Sequence, residues 1–195
     1  WTTIGSMEDL NAASLEDVCL WFPNYYGPHN ATLVLTGAVD IDAATGTDQR
    51  HFGHIPPGPP IARIETWVPS LDQERRMTVG DRVPQSRVYK TWPVPEWGSL
   101  DSEWLSLADA VLSQGPNSRL YQRLVYEEQI ATDVGGYLFL GEISGAYAVW
   151  ATAQSGQDLS EVERIMNEEI ERFIDDGPTR EELDRIITQT RAGLI

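Results

Sequence analysis

The sequence feature that most constrains the fold is the stretch 118–134, SRLYQRLVYEEQIATDV. Leu120 and Leu124 lie one turn apart on an apolar stripe, and charged and amide side chains fill the rest of the helical surface. From Ile130 to Val134 the side chains alternate with a period of two, which predicts a strand. The stretch therefore predicts a helix that passes almost directly into a strand.

Composition and charge limit the class of protein. A hydrophobic content of 41% with seven tryptophans excludes a disordered chain. The formal net charge of −16 argues against a nucleic acid or an anionic membrane as partner. The acidity is typical of a soluble surface, and its alternative interpretation is a field that favours cationic peptides. No apolar run has the length of a membrane span.

The lone Cys19 excludes an intrachain disulfide and a cysteine zinc cluster, and we predict it to be a buried, inert thiol on an apolar helical face. A single cysteine does not identify a redox compartment. The chain begins without an initiator methionine and ends inside a helical pattern. We therefore expect a fragment of a longer polypeptide, truncated at both ends.

The N-terminal block predicts a helix, a strand and a second helix. Ser14 and Asp17 form the pattern of a capping box, and Pro23 is expected to end the helix that follows. Residues 31–36, ATLVLT, are a short continuous apolar run typical of a strand buried on both faces. Asp40 and Asp42 are the two candidate caps of a second helix that extends to Phe52, although Gly46 weakens this prediction.

Four prolines in 55–61, IPPGPPI, predict an extended, semi-rigid spacer before a second block. Thr179 and Glu182 predict a capping box for the last helix, with Ile187 and Leu194 on its apolar face. The second block predicts an α+β fold, a mostly antiparallel sheet with helices on one face. Its predicted elements are strands at 75–79, 87–94, 131–138 and 145–153, and helices at 101–113, 118–129, 159–174 and from 179 onward.

Residue patterns alone reveal no active site. His51 and His54 have a spacing that could bring two imidazoles together on a helix, but no third ligand is near in sequence, and we interpret them as exposed side chains at a helix C-terminus. No nucleophile motif is present, and Gly135 and Gly136 are interpreted as strand glycines at a bulge or a close backbone approach. Adjacent carboxylates are no more frequent than the acidic composition predicts, so they do not indicate a catalytic pair.

Several blocks, in this order and spacing, resemble the insulinase/pitrilysin-type zinc metallopeptidases, a group that includes the mitochondrial processing peptidases. These blocks are IGSMEDL at 4–10, YYGPHNATLVLTG at 25–37, DRVPQ at 81–85 with VY at 88–89 and WPVP at 92–95, SRLYQRL at 118–124 with QIA at 129–131, and GPTREEL at 177–183. They cover nearly the whole chain.

The resemblance implies a zinc motif, H-x-x-E-H, whose two histidines bind the metal and whose glutamate acts as general base. That motif does not occur in this sequence, and the resemblance places it upstream of Trp1. No catalytic or metal-binding residue is therefore assigned here. Zinc is expected in the parent protein only.

The family also has an arginine and a tyrosine, seven residues apart, that complete the substrate site from the non-catalytic half. The resemblance places Val125 and Thr132 at these positions, so the pair is absent. We therefore assign no substrate-binding residue. We infer that the chain follows a zinc-bearing half rather than belonging to the inactive half.

The resemblance thus implies that residues 1–56 end an upstream zinc-bearing domain, 57–69 form a Pro-rich linker, and 70–195 form a second, non-catalytic domain truncated at its C-terminus. Together they would wall the chamber of a peptide-cleaving enzyme, with the catalytic domain of the parent as partner, and be inactive alone. One alternative is an inactive scaffold or partner subunit of the same family. Another is a stand-alone acidic interaction module.

The truncation also raises a question about folding. The second block lacks the helix–strand–helix unit that closes a domain of this family, while residues 1–56 are such a unit separated from its own domain. We hypothesise that one substitutes for the other, within a chain or as a homo-oligomer that exchanges segments between chains.

Overall fold

The computed structural model describes residues 5–193, so Ile4 of the first resembling block and Leu194 of the predicted last helix lie outside the described residues. The chain forms two compact units, Trp1–Arg63 and Ile64–Ile195. Among the described helices, none combines the length and the apolar character needed to cross a membrane.

The described residues of the first unit, 5–63, form short helices joined by extended chain. The helices are α1 Met7–Ala12, α2 Leu15–Tyr25 and α3 Ile41–Phe52, with a 3-10 turn at Pro28–Asn30. The predicted capping box is confirmed, because the Asp17 N–H donates to Ser14 Oγ at 3.2 Å and the Ser14 N–H donates to the Asp17 carboxylate at 2.8 Å. Of the two candidate caps of α3, Asp40 is the N-cap, since it accepts from the Ala43 N–H at 2.9 Å, and Asp42 lies in the first turn.

Three predictions for the first unit are wrong. Pro23 does not end α2, which continues to Tyr25 because a proline in the last turn removes only one backbone hydrogen bond. Cys19 is exposed rather than buried. Residues 31–36 are not a buried strand, because no described strand pairs with them and their side chains remain exposed.

The second unit holds the sheet and the core. Its elements are β1 Arg87–Val94, α4 Leu100–Leu112, α5 Arg119–Tyr121, β2 Ala131–Leu140, β3 Gly145–Ala153, α6 Leu159–Asp176 and α7 Arg180–Gly193, with α5 continuing into a π-helical segment at Gln122–Glu127. The strand order is β1-β3-β2, and both pairs are antiparallel. The predicted α+β fold, with an antiparallel sheet and helices on one face, is confirmed.

The core lies between that face of the sheet and the helices. Val149 and Ala151 of β3 are fully buried, as is Met166 of α6. The apolar stripe predicted from the sequence belongs to the same core, because Leu120 and Leu124 are both 0% exposed. Helical periodicity therefore identified Leu120, Leu124 and Met166, three residues of this core.

The predicted strand at 75–79 is wrong. This segment enters no ladder, and Met77 and Val79 are exposed. Arg76 instead donates to both carboxylate oxygens of Glu163 in α6, at 2.7 and 3.0 Å. A side-chain ion pair, rather than backbone pairing, connects this segment to the unit.

Candidate functional site

Three uncommon backbone features follow one another at the helix-to-strand junction. Gln122–Glu127 is π-helical, and Gln129 has a φ of 55°, in the left-handed region. The register of β2 then shifts between Ala131 and Asp133, which is a β-bulge. Because π-helical turns, left-handed non-glycine residues and bulges are enriched at functional sites, the junction is a candidate site.

The two positions that the resemblance singled out lie in this junction, one before and one after the left-handed residue. Val125 is partly buried and packs against the core. Thr132 is exposed at the bulge, and its hydroxyl donates to Gln85 Oε1 at 3.3 Å. Neither side chain carries a charge or a phenol, so these positions cannot form the contacts of an arginine and a tyrosine with a ligand.

Arg119, at the start of the junction, contacts the end of α6 and the start of α7. Its guanidinium donates to the two carboxylate oxygens of Glu182 at 2.7 and 2.8 Å and to the Gly177 carbonyl at 2.8 Å. Its Cζ also lies 5.2 Å from the centroid of the Phe173 ring. The hydrogen bond from Arg119, with further ones from Thr179, lowers the pKa of Glu182 to about 2. This is the geometry of a structural anchor rather than of a free binding group.

A buried carboxylate network joins α4 to the sheet. Asp109 is 1% exposed and accepts from Tyr147 Oη at 3.0 Å, from Gln114 Nε2 at 2.7 Å and from Ser113 Oγ. A Cβ at Gly136 would overlap Ser113 Oγ and Asp109 Oδ1, so glycine makes room for the network. Burial, with the adjacent Asp109 charge, raises the pKa of Tyr147 above its ordinary value. Because the network is enclosed, it can hold the helix on the sheet but cannot reach a substrate.

The opposite face of the sheet is open and carries Tyr89, Tyr137, Phe139 and Trp150, which we call the aromatic face. Tyr89, Tyr137 and Phe139 are 59%, 50% and 69% exposed. Trp150 lies across Gly135, where a Cβ would overlap its ring, and its centroid is 6.5 Å from that of Tyr89 and 5.9 Å from that of Tyr137. This surface was not predicted from the sequence. The alternation of Tyr137 and Phe139 in β2 was the available signal.

A polar group borders the aromatic face. Arg87 donates to Thr152 Oγ1 at 2.7 Å and to Tyr89 Oη at 3.2 Å, and its Cζ lies 5.8 Å from the centroid of the Tyr89 ring. The Asp133 carboxylate is 3.7 Å from the same guanidinium and accepts from Trp150 Nε1 at 3.1 Å. The Arg87 guanidinium is therefore already in contact with Thr152, Tyr89 and Asp133.

In the first unit, a groove of about 530 Å³ runs between residues 31–36 and α3. Its apolar lining includes Leu33, Leu35, Val39, Ala44 and Phe52. Among the described residues of this unit, 5–63, Gly27 alone is buried. These residues thus form no core of their own, and the extended segment presents apolar side chains without a partner.

The histidines do not form a metal centre. His51 lies in the last turn of α3, where it lines the groove, and His54 follows the end of that helix. Within residues 5–193, no group of three or more His, Cys, Asp or Glu side chains could hold a metal ion. The described residues do not fit the three-ligand arrangement of a catalytic zinc.

Comparison with known proteins identifies the family. Residues 12–190 match the family described as Peptidase M16 inactive domain. The chain belongs to this family. The resemblance to insulinase/pitrilysin-type metallopeptidases is thereby confirmed, and the matching family is one of inactive domains.

Individual proteins share sequence or fold with the chain. Zinc protease PqqE of Helicobacter pylori is 25% identical over 206 residues, covering 100% of this chain and 45% of the relative. The crystal structure of a protease from Helicobacter pylori has a TM-score of 0.82 at 22% identity, covering 100% of this chain and 47% of that one. The crystal structure of the peptidase M16 inactive domain from Pseudomonas fluorescens has a TM-score of 0.75 at 18% identity. The match covers 97% of this chain and 46% of that one. The chain spans about half the length of these relatives.

Proposed function

We propose that this chain supplies part of the wall of a peptide-cleaving chamber in a zinc-dependent M16 peptidase. Residues 1–56 complete an upstream zinc-bearing domain, 57–69 link the two domains, and 70–195 form the adjoining non-catalytic domain. The observation that carries the proposal is the contrast between the two units: the second has a closed core, while the described part of the first exposes its apolar side chains.

Residues 31–36 indicate how the first unit joins its partner. The chain there is extended, and Leu33, Val34 and Leu35 are 56%, 74% and 55% exposed. Because successive side chains of a strand point to opposite faces, pairing with a sheet edge would bury this segment on both sides. Covering three such side chains contributes about 3–6 kcal/mol to association. The partner is the catalytic domain of the parent protein.

The zinc ion belongs to that partner domain in this proposal. Support comes from the relative described as a zinc protease and from the absence of a fitting ligand set among the described residues. The isolated chain is expected to bind no stoichiometric zinc. When bound upstream, the metal activates water for peptide hydrolysis.

Val125 and Thr132 support the placement of this chain after the zinc-bearing half of the parent protein. The packing of Val125 against the core and the exposed hydroxyl of Thr132 leave no arginine–tyrosine pair to complete a substrate site. A piece with this composition follows the zinc-bearing half, where the pair is not needed.

Complementation tests this proposal. The upstream half of the parent and the 195-residue chain are purified separately, then mixed, and hydrolysis of a casein-derived peptide pool is followed with and without a chelator. Neither part alone should cleave peptides, and the mixture should show chelator-sensitive cleavage. Leu35→Asp should abolish complementation because it places a charge in the new interface, while Val83→Asp, at an exposed loop position of the second unit, should not.

Each other outcome is informative. Chelator-sensitive hydrolysis by the isolated chain contradicts the proposal. A parent without H-x-x-E-H upstream of Trp1 establishes the inactive scaffold instead. A stable dimer of the isolated chain that Leu35→Asp dissociates indicates a homo-oligomer in which residues 1–56 are exchanged between copies.

A further inference from the structure

We propose that residues 70–84, which we call the exposed segment, are a processing site for an arginine-specific endopeptidase of the trypsin class. The cut falls between Arg75 and Arg76. The inference goes beyond the proposed function and does not depend on it, because it concerns the chain as a substrate rather than as part of a peptidase. It assigns the chain a modification site and the class of enzyme that acts there.

The exposed segment is open to a protease along its whole length. Each of its residues is exposed, and Met77 and Val79 are 87% and 71% exposed. The segment forms no helix or strand, and among the described residues its backbone makes no hydrogen bond to another backbone group. An endopeptidase binds several residues of its substrate as extended chain and forms hydrogen bonds with that backbone. The segment meets this requirement without the unfolding of any helix or strand.

Few arginines lie outside helices and strands. In the described part of the chain they are Arg63, Arg75, Arg76 and Arg82. A trypsin-class enzyme binds the arginine side chain in a pocket whose carboxylate pairs with the guanidinium, so that side chain must be free to leave the substrate surface. Arg63 has an interaction partner. Arg82 stands two positions before Pro84, which has no N–H to donate to the protease.

Two carboxylates hold the Arg76 side chain. Its guanidinium donates to both carboxylate oxygens of Glu163, at 2.7 and 3.0 Å, and its Nε lies 2.6 Å from Glu74 Oε1. Glu163 is itself fixed on α6, where its carboxylate also contacts Lys90 Nζ at 3.2 Å. Bidentate pairs of this kind are the stronger and more specific ion pairs. Arg76 must therefore leave both carboxylates before it can enter a protease pocket.

Arg75 has no such restraint. Among the described residues, no ion pair or hydrogen bond involves its side chain. The two adjacent arginines thus differ in availability, and the structure favours the bond after Arg75. Hydrolysis breaks the amide between the Arg75 carbonyl carbon and the Arg76 nitrogen and consumes one water. Arg75 gains a terminal carboxylate, and Arg76 gains the new amino group.

The cut divides the chain without interrupting a helix or a strand. Residues 1–75 retain α1, α2 and α3, and residues 76–195 retain the whole sheet with its helices. The core described above belongs entirely to the second product. Residues 76–195 should therefore stay folded after the cut.

Limited digestion of the native 195-residue chain with trypsin, followed by intact mass spectrometry, locates the first cut. Products 1–75 and 76–195 should appear first, about 10-fold or more faster than cutting at any arginine within a helix or strand. The strongest competitor is Arg50, because its helix α3 has no buried residue. A lysine-specific endopeptidase is the control: its single site, Lys90, lies in β1 and is cut only when the sheet unfolds.

Arg75→Gln should slow the first cut about 10-fold or more, whereas Arg82→Gln should leave its rate unchanged. Glu163→Gln should raise cutting after Arg76 about 2- to 5-fold, because the weakened ion pair releases that side chain more often. Glu161→Gln is the matched control, since its arginine partner lies on the same helix, and it should not change the pattern. Circular dichroism checks the folding of each variant and of the 76–195 product.

A first cut after any other arginine overturns the proposal, as does equal cutting after Arg75 and Arg76 in the unaltered chain. Cutting at Lys90 as fast as the first tryptic cut means that the sheet unfolds before cleavage, which also overturns it. An unchanged rate after Arg76 in Glu163→Gln contradicts selection of the bond by the ion pair. Failure here is separable from failure of the proposed function, since complementation depends on Leu35 in the first unit and is measured as peptide hydrolysis.

Discussion

At the residue scale, Glu182 performs two structural tasks with one carboxylate. It accepts from Arg119, which anchors α5, and from the Thr179 N–H at 2.7 Å, which caps α7. Both interactions favour the ionised form, so the pKa falls from the ordinary 4.5 to about 2. A carboxyl whose pKa is lowered on folding stabilises the folded state above the unfolded pKa and loses that contribution as pH falls through the folded pKa.

Glu182→Gln should therefore lower the free energy of unfolding by about 2 kcal/mol near neutral pH. The difference from wild type should shrink as pH falls from 4.5 towards 2, because the wild-type carboxyl becomes protonated over that window. Urea unfolding at several pH values measures this difference in the free energy of unfolding. Asp184→Asn, which removes an exposed pair with Arg180, should change stability by less than about 0.5 kcal/mol. A difference that is independent of pH would contradict the assignment.

The sequence predicted the capping interaction between Thr179 and Glu182, but it did not predict the ion pair between Arg119 and Glu182. The capping boxes Ser14–Asp17 and Thr179–Glu182 each lie within one helical turn, so residue type and spacing suffice to recognise them. Arg119 and Glu182 are 63 positions apart, and their contact depends on how α5 and α7 pack. No spacing rule reports such a pair.

At the element scale, strand prediction succeeded only where a partner exists. The predicted strands at 87–94 and 145–153 pair with each other and are confirmed. Residues 31–36 and 75–79 have suitable composition but enter no ladder among the described residues. A strand requires a neighbour to accept its backbone hydrogen bonds, and composition alone does not supply one.

Packing of α4 on the sheet depends on the absence of a side chain at Gly136. Gly136→Ala should lower the free energy of unfolding by about 2–3 kcal/mol, because the new methyl would displace Ser113 and Asp109 from their hydrogen bonds. Thermal and urea unfolding measure the change. Gly80→Ala is the matched control, since nothing lies within 4 Å of its added Cβ, and it should be neutral or slightly stabilising. Equal stability of the two variants would show that the buried network does not hold the helix.

At the scale of the whole molecule, the α+β class could be derived from the order of elements, whereas the aromatic face could not. Tyr89, Gly135 and Trp150 lie on three different strands. They meet because the strand register places Tyr89 opposite Trp150 on one side and Gly135 opposite Trp150 on the other. Register depends on the assembled sheet and its connections. The aromatic residues were visible in the sequence, but their common face was not.

The two units should differ in local stability when the 195-residue chain is isolated. Helices α3 and α4 have similar lengths, 12 and 13 residues, but α3 has no buried residue while α4 buries Val111 and Leu112. Short helices without tertiary packing are marginal in water, so amides of α3 should exchange with opening free energies below about 2 kcal/mol. Those of α4 should approach the global value.

Hydrogen exchange with mass spectrometry measures this contrast, with α4 as the internal control. Addition of the upstream half of the parent should raise protection of α3 and leave that of α4 unchanged, because the proposed partner covers the groove beside α3 and not the closed core. Equal protection of the two helices in the isolated chain would mean that the first unit is already covered. In that case an exchanged second copy, detectable by mass in solution, replaces the upstream domain as its partner.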